Sequence, residues 1–255
     1  MLEVEGLRYC HDGQGTTSYE YELEVGAGEI ACLTGKSGSG KSTCLDLIAG
    51  FLKPDGGKVR VNGSDILGVA PQDRPLTILF QKDNLFEHLT AAQQLGRIAH
   101  PGSRGDDTVG EWLEALGLAP RRDHRPDAMS GGERQRLAFA RAAVAGHQLV
   151  IADEPTSQLD AASTAQVMEA IATLAERGIT VLLATHDRRV LEDVDEVITL
   201  RDGAVATVTA GGSSLAVIDR SGRVQLPPEL RDRYPERRVR LVWDESSDRV
   251  ELERP

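Results

Sequence analysis

The chain has 255 residues, of which 40% are hydrophobic and 27% charged, and its formal net charge is −11. This hydrophobic fraction suffices for a buried core, so the composition excludes a wholly disordered chain. No stretch approaches the roughly 20 consecutive apolar residues of a membrane-spanning helix, and the N-terminus lacks the pattern of a secretory signal. Three cysteines without metal-ligand spacing are typical of reduced thiols in the cytosol. We therefore expect a soluble intracellular protein.

The first predicted element along the chain is a short buried strand at 29–34, which leads directly into a glycine-rich turn. A helix is predicted from Lys41 because apolar residues follow at helical spacing, and the Lys-Pro-Asp-Gly-Gly run at 53–57 is expected to end it. A second strand is predicted at 76–80. Residues 90–128 are then rich in Ala and Gln and have a helical pattern, which predicts a helical insertion.

The second half of the chain alternates strand and helix. Nearly uniform apolar runs at 149–152 and 180–185 are typical of central strands in a parallel sheet. A helix is predicted between them at 161–176, so the order is that of a doubly wound α/β fold. A hairpin is predicted at 197–207, and the Ala-Gly-Gly-Ser-Ser run at 210–214 is interpreted as a linker.

The glycine-rich turn matches the phosphate-binding pattern G-x-x-x-x-G-K-[ST] at every position. Its glycines let successive backbone N–H groups point inward at phosphate oxygens, and the helix that follows adds the positive end of its dipole. Lys41 is expected to reach the β- and γ-phosphates, and Ser42 to bind Mg²⁺ through its hydroxyl. The predicted nucleotide-binding residues of this turn are Gly35, Lys36, Ser37, Gly38, Ser39, Gly40, Lys41, Ser42 and Thr43.

An acidic pair follows the apolar strand at 149–152. Asp153 at the end of that strand is expected to hold Mg²⁺ through water. Glu154 would then lie near the γ-phosphate, where it can orient or deprotonate an attacking water. A strand that merely ends in a solvated acidic turn would have the same sequence, but the phosphate-binding pattern in the same chain favours the functional interpretation.

Residues 129–136, Met-Ser-Gly-Gly-Glu-Arg-Gln-Arg, together with the features above, resemble the signature of ABC-type ATPases. The family's commonest form is Leu-Ser-Gly-Gly-Gln, so the Met and the Glu are departures from it. Ser130 and Glu133 also form a capping-box pattern before an apolar helix. The resemblance implies that Ser130, Gly131 and Gly132 bind the γ-phosphate of ATP held by a second ATPase subunit, so that two chains enclose two ATP molecules head to tail.

The resemblance extends to further residues in the family's order. It implies that Gln81 contacts Mg²⁺ and water, that Asp160 communicates across the dimer, and that His186 contacts the γ-phosphate. The aromatic residue that stacks on adenine is either Tyr9 or His11, with His11 nearer to the family's usual position. The predicted catalytic residues are Glu154, His186 and Gln81. The predicted metal ligands are Ser42, Gln81 and Asp153.

The kind of ABC ATPase is indicated by what the chain does not contain. Only 95 positions separate Gly35 from Ser130, which leaves no room for the long coiled coils of the DNA-repair type. There is one cassette, whereas the translation type usually carries two. A transport role is therefore expected, with separate transmembrane permease subunits and a location at the cytoplasmic face of the membrane. The family docks its permease on the segment at 84–90.

The direction of transport stays open on these residues. The spans 74–81 and 84–90 resemble thiamine-importer ATPases, whereas 153–156 and 184–187 resemble exporters of the macrolide and lipoprotein-release type. We expect an exporter by a slight margin, because of the tail described next. An importer of a thiamine-like small polar solute, a soluble non-transport ABC ATPase and a DNA-binding regulator are the competing hypotheses.

The C-terminal tail, residues 215–253, resembles the swapped-hairpin (AbrB-type) module of bacterial transcription regulators. Residues 213–255 contain nine Arg, no Lys and nine acidic residues, so they are formally neutral. Nucleic-acid binding needs clustered positive charge, so a dimerising or regulatory role is favoured and nucleic acid is an unlikely partner. The expected fold is an α/β P-loop NTPase with a mostly parallel sheet over 1–212, a helical insertion at about 84–145, and a small β-rich module at 213–255.

Overall fold

A computed structural model describes residues 1–11, 18–81, 84–99, 105–217, 233, 240–244 and 249–253 of the chain. The strands are β1 Leu2–Cys10, β2 Ser18–Val25, β3 Ile30–Thr34, β4 Gly56–Val61, β5 Ser64–Asp65, β6 Thr77–Leu79, β7 Leu149–Asp153, β8 Thr180–Ala184, β9 Glu196–Arg201, β10 Ala204–Ala210, β11 Ser213–Ala216, β12 Arg240–Asp244 and β13 Arg249–Glu253. The α-helices are α1 Lys41–Ala49, α2 Ala91–Gly96, α3 Gly105–Ala115, α4 Gly131–Val144 and α5 Ala161–Glu176. None of the described helices is both long and apolar enough to cross a membrane.

One mixed sheet organises most of these strands, in the order β5-β4-β1-β2-β10-β9-β3-β8-β7-β6, with β11 paired to β10. Strands β9, β3, β8, β7 and β6 are parallel to one another. For β7 and β8 this is the orientation that the apolar runs predict. Strands β1, β2, β4 and β5 form an antiparallel half, which the sequence analysis did not predict. The sheet is therefore parallel only in the half that carries the glycine-rich turn.

Two hydrophobic clusters cover the two faces of the parallel half. Along β7, Val150 and Ala152 face the cluster that contains α4 and α5, while Leu149 and Ile151 face the cluster that contains α1. Successive side chains of a strand point to opposite faces, so a strand covered on both sides needs apolar residues at every position. This two-sided burial explains why β7 and β8 have uniform rather than alternating apolar sequences.

The helices begin and end at identifiable residues. Helix α1 ends at Ala49, earlier than the breaker run at 53–57 predicts, because Gly50 adopts a left-handed conformation with φ 87° and its N–H donates to helix carbonyls. Helix α5 has the predicted bounds, 161–176. Helices α2, α3 and α4 lie between β6 and β7, and they pack with α5 into one cluster.

The interpretation of 210–214 as a linker is wrong. Gly211 and Gly212 have φ values of 56° and 79° and form the two-residue turn of a hairpin in which Ala210 pairs with Ser213. Positive φ at both central residues is the conformation that favours glycine in such turns. Strand β11 consequently pairs with the main sheet, although the sequence analysis assigned its residues to the tail module. In the rest of the tail, the described strands β12 and β13 pair antiparallel with each other.

Candidate ATPase site

The glycine-rich turn connects β3 to α1 and depends on glycine at two positions. Gly35 has φ 147°, and a Cβ there would lie 2.5 Å from the carbonyl oxygen of Leu200. Gly40 has φ 102°, and a Cβ there would lie 2.5 Å from the hydroxyl oxygen of Tyr21. These conformations are costly for other residues, and the close approaches leave no space for a side chain. The turn can therefore keep its shape only with these glycines.

Lys41 folds back over this turn. Its Nζ donates to the carbonyl oxygens of Gly35 at 3.0 Å and of Lys36 at 3.4 Å. The ammonium group and the N-terminus of α1 are thus placed on the same concave loop, where both favour a bound anion. This arrangement has the chemistry that a polyphosphate requires.

Ser42 and Asp153 meet beside the turn, because α1 begins next to the end of β7. The hydroxyl of Ser42 donates to Oδ2 of Asp153 at 2.8 Å. Burial raises the pKa of the Asp153 carboxyl above its usual range, although the hydrogen bond from Ser42 and the charge of Lys41 act in the opposite direction. A hydroxyl and a carboxylate are the hard oxygen ligands that Mg²⁺ prefers, so the residues present fit this ion.

The carboxylate of Glu154 is held by groups at the end of β8. The backbone N–H of Glu154 donates to the carbonyl oxygen of Ala184 at 2.7 Å, and Glu154 has a left-handed φ of 49°. Its Oε2 accepts a hydrogen bond from the hydroxyl of Thr185 at 3.0 Å, and its Oε1 lies 2.7 Å from Nδ1 of His186. Strained backbone of this kind persists where the surroundings determine it, often at functional sites.

Thr185 also accepts a hydrogen bond from the backbone N–H of Asp187 at 3.1 Å, and it is fully buried. The sequence analysis did not identify this residue. Its position directly before His186, at the end of an apolar strand, is the one signal that could have found it. The structure thus brings Glu154, Thr185 and His186 together.

Gln81 lies shortly after the end of β6. Its Nε2 donates to the hydroxyl of Ser157 at 3.5 Å, and its side chain is exposed. Ser157 follows the acidic pair by three residues, so Gln81 is next to the loop that connects β7 to α5. Contact between Gln81 and Mg²⁺ stays a prediction.

The signature residues lie at the start of α4, and they pack against the loop before α5. A Cβ on Gly131 would lie 3.0 Å from Cδ2 of Leu159, and one on Gly132 would lie 3.0 Å from Cβ of Ser163. Ser130 caps α4 and forms the predicted capping box with Glu133. In the described residues these neighbours lie in the loop before α5 and in its first turn, rather than in the glycine-rich turn.

Asp160 caps α5. Its Oδ1 accepts a hydrogen bond from the backbone N–H of Ser163 at 2.7 Å. This backbone hydrogen bond is the main cause that lowers the pKa of Asp160 below its usual range. Its role within the chain is therefore that of a helix cap, and communication across a dimer stays a prediction.

Aromatic rings extend from the end of β1 to the glycine-rich turn. The ring of His11 lies 4.9 Å from that of Tyr9 and 5.7 Å from that of Tyr19, in edge-on arrangements. The hydroxyl of Tyr21, in turn, donates to the carbonyl oxygen of Gly40 at 2.8 Å. Tyr9 packs against the core, whereas His11 is exposed and better placed to stack on a base. The sequence analysis missed both β2 tyrosines, although their alternate spacing on a strand was visible.

Comparisons with known proteins identify the family of this chain. A family model described as "ABC transporter" matches residues 19–157. The thiamine import ATP-binding protein ThiQ of Vibrio cholerae serotype O1 is 37% identical over 217 residues, which cover 82% of this chain and 89% of that relative. The protein of the same name from Brucella suis biovar 1 is 36% identical over 226 residues, covering 87% and 92%.

Two solved structures are similar to the chain as well. The ATP-binding cassette MJ0796, in a dimeric post-hydrolysis state bound to ADP and Pi, has a TM-score of 0.68 at 28% identity and covers 82% of this chain and 98% of its own. The ADP conformation of MJ1267, another ATP-binding cassette, has a TM-score of 0.73 at 22% identity, with 83% and 91% covered, which supports the fold. This chain therefore belongs to the ABC transporter family, as an ATP-binding subunit with ATPase activity.

Proposed function

We propose that this chain is the ATPase subunit of an importer for thiamine or a similar small polar solute. The observation that carries the proposal is the similarity to proteins named thiamine import ATP-binding protein, at 36–39% identity over 73–87% of this chain. The slight preference for an exporter is not supported by these relatives. That preference was based on the tail. The residues at 153–156 and 184–187, which resemble those of exporters, include the carboxylate of Glu154 and the groups that hold it. These residues serve hydrolysis, which transport in either direction requires.

ATP binding is proposed to use the glycine-rich turn. Its backbone N–H groups and Lys41 would bind the phosphates, and His11 would stack on the adenine. Ser42 and Asp153, with Gln81, would hold Mg²⁺, which when bound offsets the negative charge of the β- and γ-phosphates. The hydrogen bond between Ser42 and Asp153 at 2.8 Å supports this assignment, because it places two oxygen ligands beside the turn.

Hydrolysis is proposed to use Glu154 as the base that orients and deprotonates the attacking water. The hydrogen bond from Thr185 and the contact with His186 fix the direction of the carboxylate, so that its geometry exists before substrate binds. With Nδ1 of His186 directed at Glu154, its Nε2 is available to the γ-phosphate. General-base assistance of this kind contributes on the order of 10²–10⁴-fold in rate.

Dimerisation is proposed to complete the site. Ser130, Gly131 and Gly132 of one chain would bind the γ-phosphate held by the partner chain, through the hydroxyl and backbone N–H groups at the start of α4. The packing of this segment against Leu159 and Ser163, rather than against its own glycine-rich turn, supports an intermolecular role. Asp160, which caps α5, would lie at the same interface.

A transmembrane permease is proposed to dock beside Gln81. Three aromatic side chains near it are exposed to about half of their area, namely Phe51, Phe80 and Phe86. Phe80 and Phe86 line a groove of about 260 Å³ between β6 and α4, and the guanidinium of Arg141 lies 5.0 Å from the ring centroid of Phe86. Apolar surface of this kind marks protein contact sites, and the partner would hold the chain at the cytoplasmic face of the membrane.

The tail is proposed to be a separate dimerising or regulatory module, with nucleic acid an unlikely partner. Because β11 pairs with the main sheet, we place the boundary after Val217 instead of after Gly212. The cassette would then comprise 1–217, with its helical insertion at about 84–145.

Uptake of labelled thiamine by cells that lack this gene tests the proposed function. The wild-type chain is expected to restore uptake, and Glu154→Gln is not. The purified variant should still bind ATP, should hydrolyse it on the order of 10²–10⁴-fold more slowly, and should accumulate as an ATP-bound dimer. Normal thiamine uptake without the gene would contradict thiamine as the substrate, and near-normal ATP turnover by Glu154→Gln would contradict the role of that residue.

A further inference from the structure

A carboxylate lies at the helix end that is proposed to bind the γ-phosphate. Oε2 of Glu133 accepts a hydrogen bond from the backbone N–H of Ser130 at 2.8 Å, and the N–H of Glu133 donates to the hydroxyl of Ser130 at 3.2 Å. The family's commonest signature has a neutral Gln at this position. Because like charges repel, an unpaired carboxylate in the first turn of α4 would weaken the attraction of this helix end for a phosphate.

Arg121 pairs with this carboxylate. Its Nε donates to Oε1 of Glu133 at 2.9 Å, with side chains that are 39% and 18% exposed. Burial raises the pKa of Glu133, but the hydrogen bond and charge of Arg121 and the N–H of Ser130 outweigh it, so the pKa lies below its usual range. Glu133 is therefore ionised at neutral pH, and its charge is offset locally.

The backbone holds Arg121 in place for this contact. Its N–H donates to the carbonyl oxygen of Leu118 at 2.8 Å, and its carbonyl oxygen accepts from the N–H of His124 at 2.9 Å. On α4, the guanidinium of Arg136 is buried and donates to Gln166, although its charge also interacts with that of Glu133, and Arg134 lines a surface groove. Among the described residues, the ion pair of Glu133 is with Arg121.

We propose that Arg121 neutralises Glu133, and so keeps the signature end of α4 attractive to the γ-phosphate of ATP bound to a partner chain. Arg121 is thus a positioning residue that acts through Glu133. This inference rests on the proposed head-to-tail dimer. It places the effect on ATP-driven dimerisation and not on ATP binding by the single chain, because the contacts of Arg121 and Glu133 do not include the glycine-rich turn.

The ATP concentration that gives half-maximal dimerisation tests the proposal, measured by sedimentation of full-length Glu154→Gln chains. Adding Arg121→Met is expected to raise this concentration about tenfold, and Arg121→Lys is expected to raise it less. Adding Glu133→Gln to Arg121→Met should restore the starting value to within about threefold, because the carboxylate no longer needs neutralising. Arg60→Met, which breaks ion pairs with Glu3 and Glu5 on the antiparallel half, is the matched control and should change nothing.

Restoration of dimerisation by Glu133→Gln distinguishes an electrostatic role of Arg121 from a structural one. If Arg121 only held α4 in position, the Arg121→Met/Glu133→Gln chain would lack that support as well and would dimerise no better than Arg121→Met, which would overturn the proposal. High salt should also reduce the increase in this ATP concentration that Arg121→Met causes, because salt screens the unpaired carboxylate. Equal ATP binding by the monomers and equal thermal unfolding temperatures show that each variant is folded.

Failure of the inference and failure of the proposed function are distinguishable in the same experiment. If Glu154→Gln alone dimerises with ATP and Arg121→Met dimerises equally well, the proposed dimer stands and the role of Arg121 is wrong. If Glu154→Gln does not dimerise with ATP at all, the proposed dimer is wrong, and the inference falls with it.

Discussion

Single side chains decide the geometry around Glu154. The sequence predicted Glu154 and His186, because each follows an apolar strand and matches a family position. It could not predict Thr185 as their partner, since a hydroxyl at the end of a strand is common. What gives Thr185 its role is the pairing of β7 with β8, which brings its hydroxyl to Oε2 of Glu154. Such contacts depend on the register of two strands that are distant in sequence.

Thr185→Val is expected to slow hydrolysis while leaving ATP binding largely intact. Valine keeps the shape of the side chain but removes the hydrogen bonds to Glu154 and to the N–H of Asp187. We expect kcat to fall about tenfold and the free energy of unfolding to fall by about 1–2 kcal/mol. Steady-state kinetics and denaturant unfolding measure both quantities.

Thr173→Val provides the control, because its hydroxyl donates to the carbonyl of Glu169 on the exposed face of α5. This variant should have the kcat of the wild type. An unchanged kcat in Thr185→Val would show that the backbone and His186 suffice to orient Glu154.

At the scale of elements, helices were predicted better than strands. The start of α4 was predicted from the Ser130–Glu133 capping box, and the bounds of α5 from its apolar pattern. Strand β2 was missed although it alternates buried and exposed residues, which is itself a strand pattern, whereas its pairing with β1 cannot be predicted from that pattern. The hairpin turn at 211–212 was likewise indistinguishable from a linker by composition alone.

The cap of α5 predicts a pH dependence of stability. The pKa of Asp160 in the folded chain lies below its ordinary value of 3.8, chiefly because of the backbone hydrogen bond from Ser163. A lowered folded pKa stabilises the fold above the unfolded pKa, and this stabilisation is lost as pH falls through the folded pKa. Asp160→Asn keeps an oxygen acceptor but does not titrate in this range.

We therefore expect the unfolding temperature of the wild type to exceed that of Asp160→Asn most above about pH 4, with the difference shrinking at lower pH. Thermal unfolding followed by circular dichroism between about pH 2 and pH 6, roughly two units on either side of the ordinary pKa, measures this difference. Asp160→Ala, which removes the acceptor too, should be less stable than Asp160→Asn at every pH. A difference that is constant with pH would contradict the role of the charge.

At the scale of the whole molecule, the proposed site collects at the carboxyl ends of parallel strands. The glycine-rich turn follows β3, Asp153 ends β7, His186 follows β8, and Gln81 follows β6. This convergence is a property of doubly wound sheets, so the order of motifs predicted it. By contrast, no motif in the sequence indicates that the hydroxyl of Tyr21, on the antiparallel half, donates to the carbonyl oxygen of Gly40.

Truncation after Val217 tests the proposed role of the tail. Removing 218–255 leaves β11 in place, and it is expected to weaken dimerisation, because a dimerising module raises the effective concentration of the attached cassettes. Sedimentation at several protein concentrations and ATPase activity per chain measure the effect. Values equal to those of the full-length chain would show that the tail serves neither dimerisation nor regulation of ATPase activity.

The junction between the two halves of the sheet is narrow. Strand β10 is parallel to β2 at one register pair, Ala204 with Glu20, and the N–H of Glu20 also donates to the carbonyl of Gly203. The two halves are held together mainly by a shared hydrophobic cluster, in which Leu7 and Val59 of the antiparallel half are buried with Leu33 and Leu45. The hydrogen bond from Tyr21 to the carbonyl oxygen of Gly40 also crosses this junction, so a substitution on β2 can change the conformation of the glycine-rich turn directly.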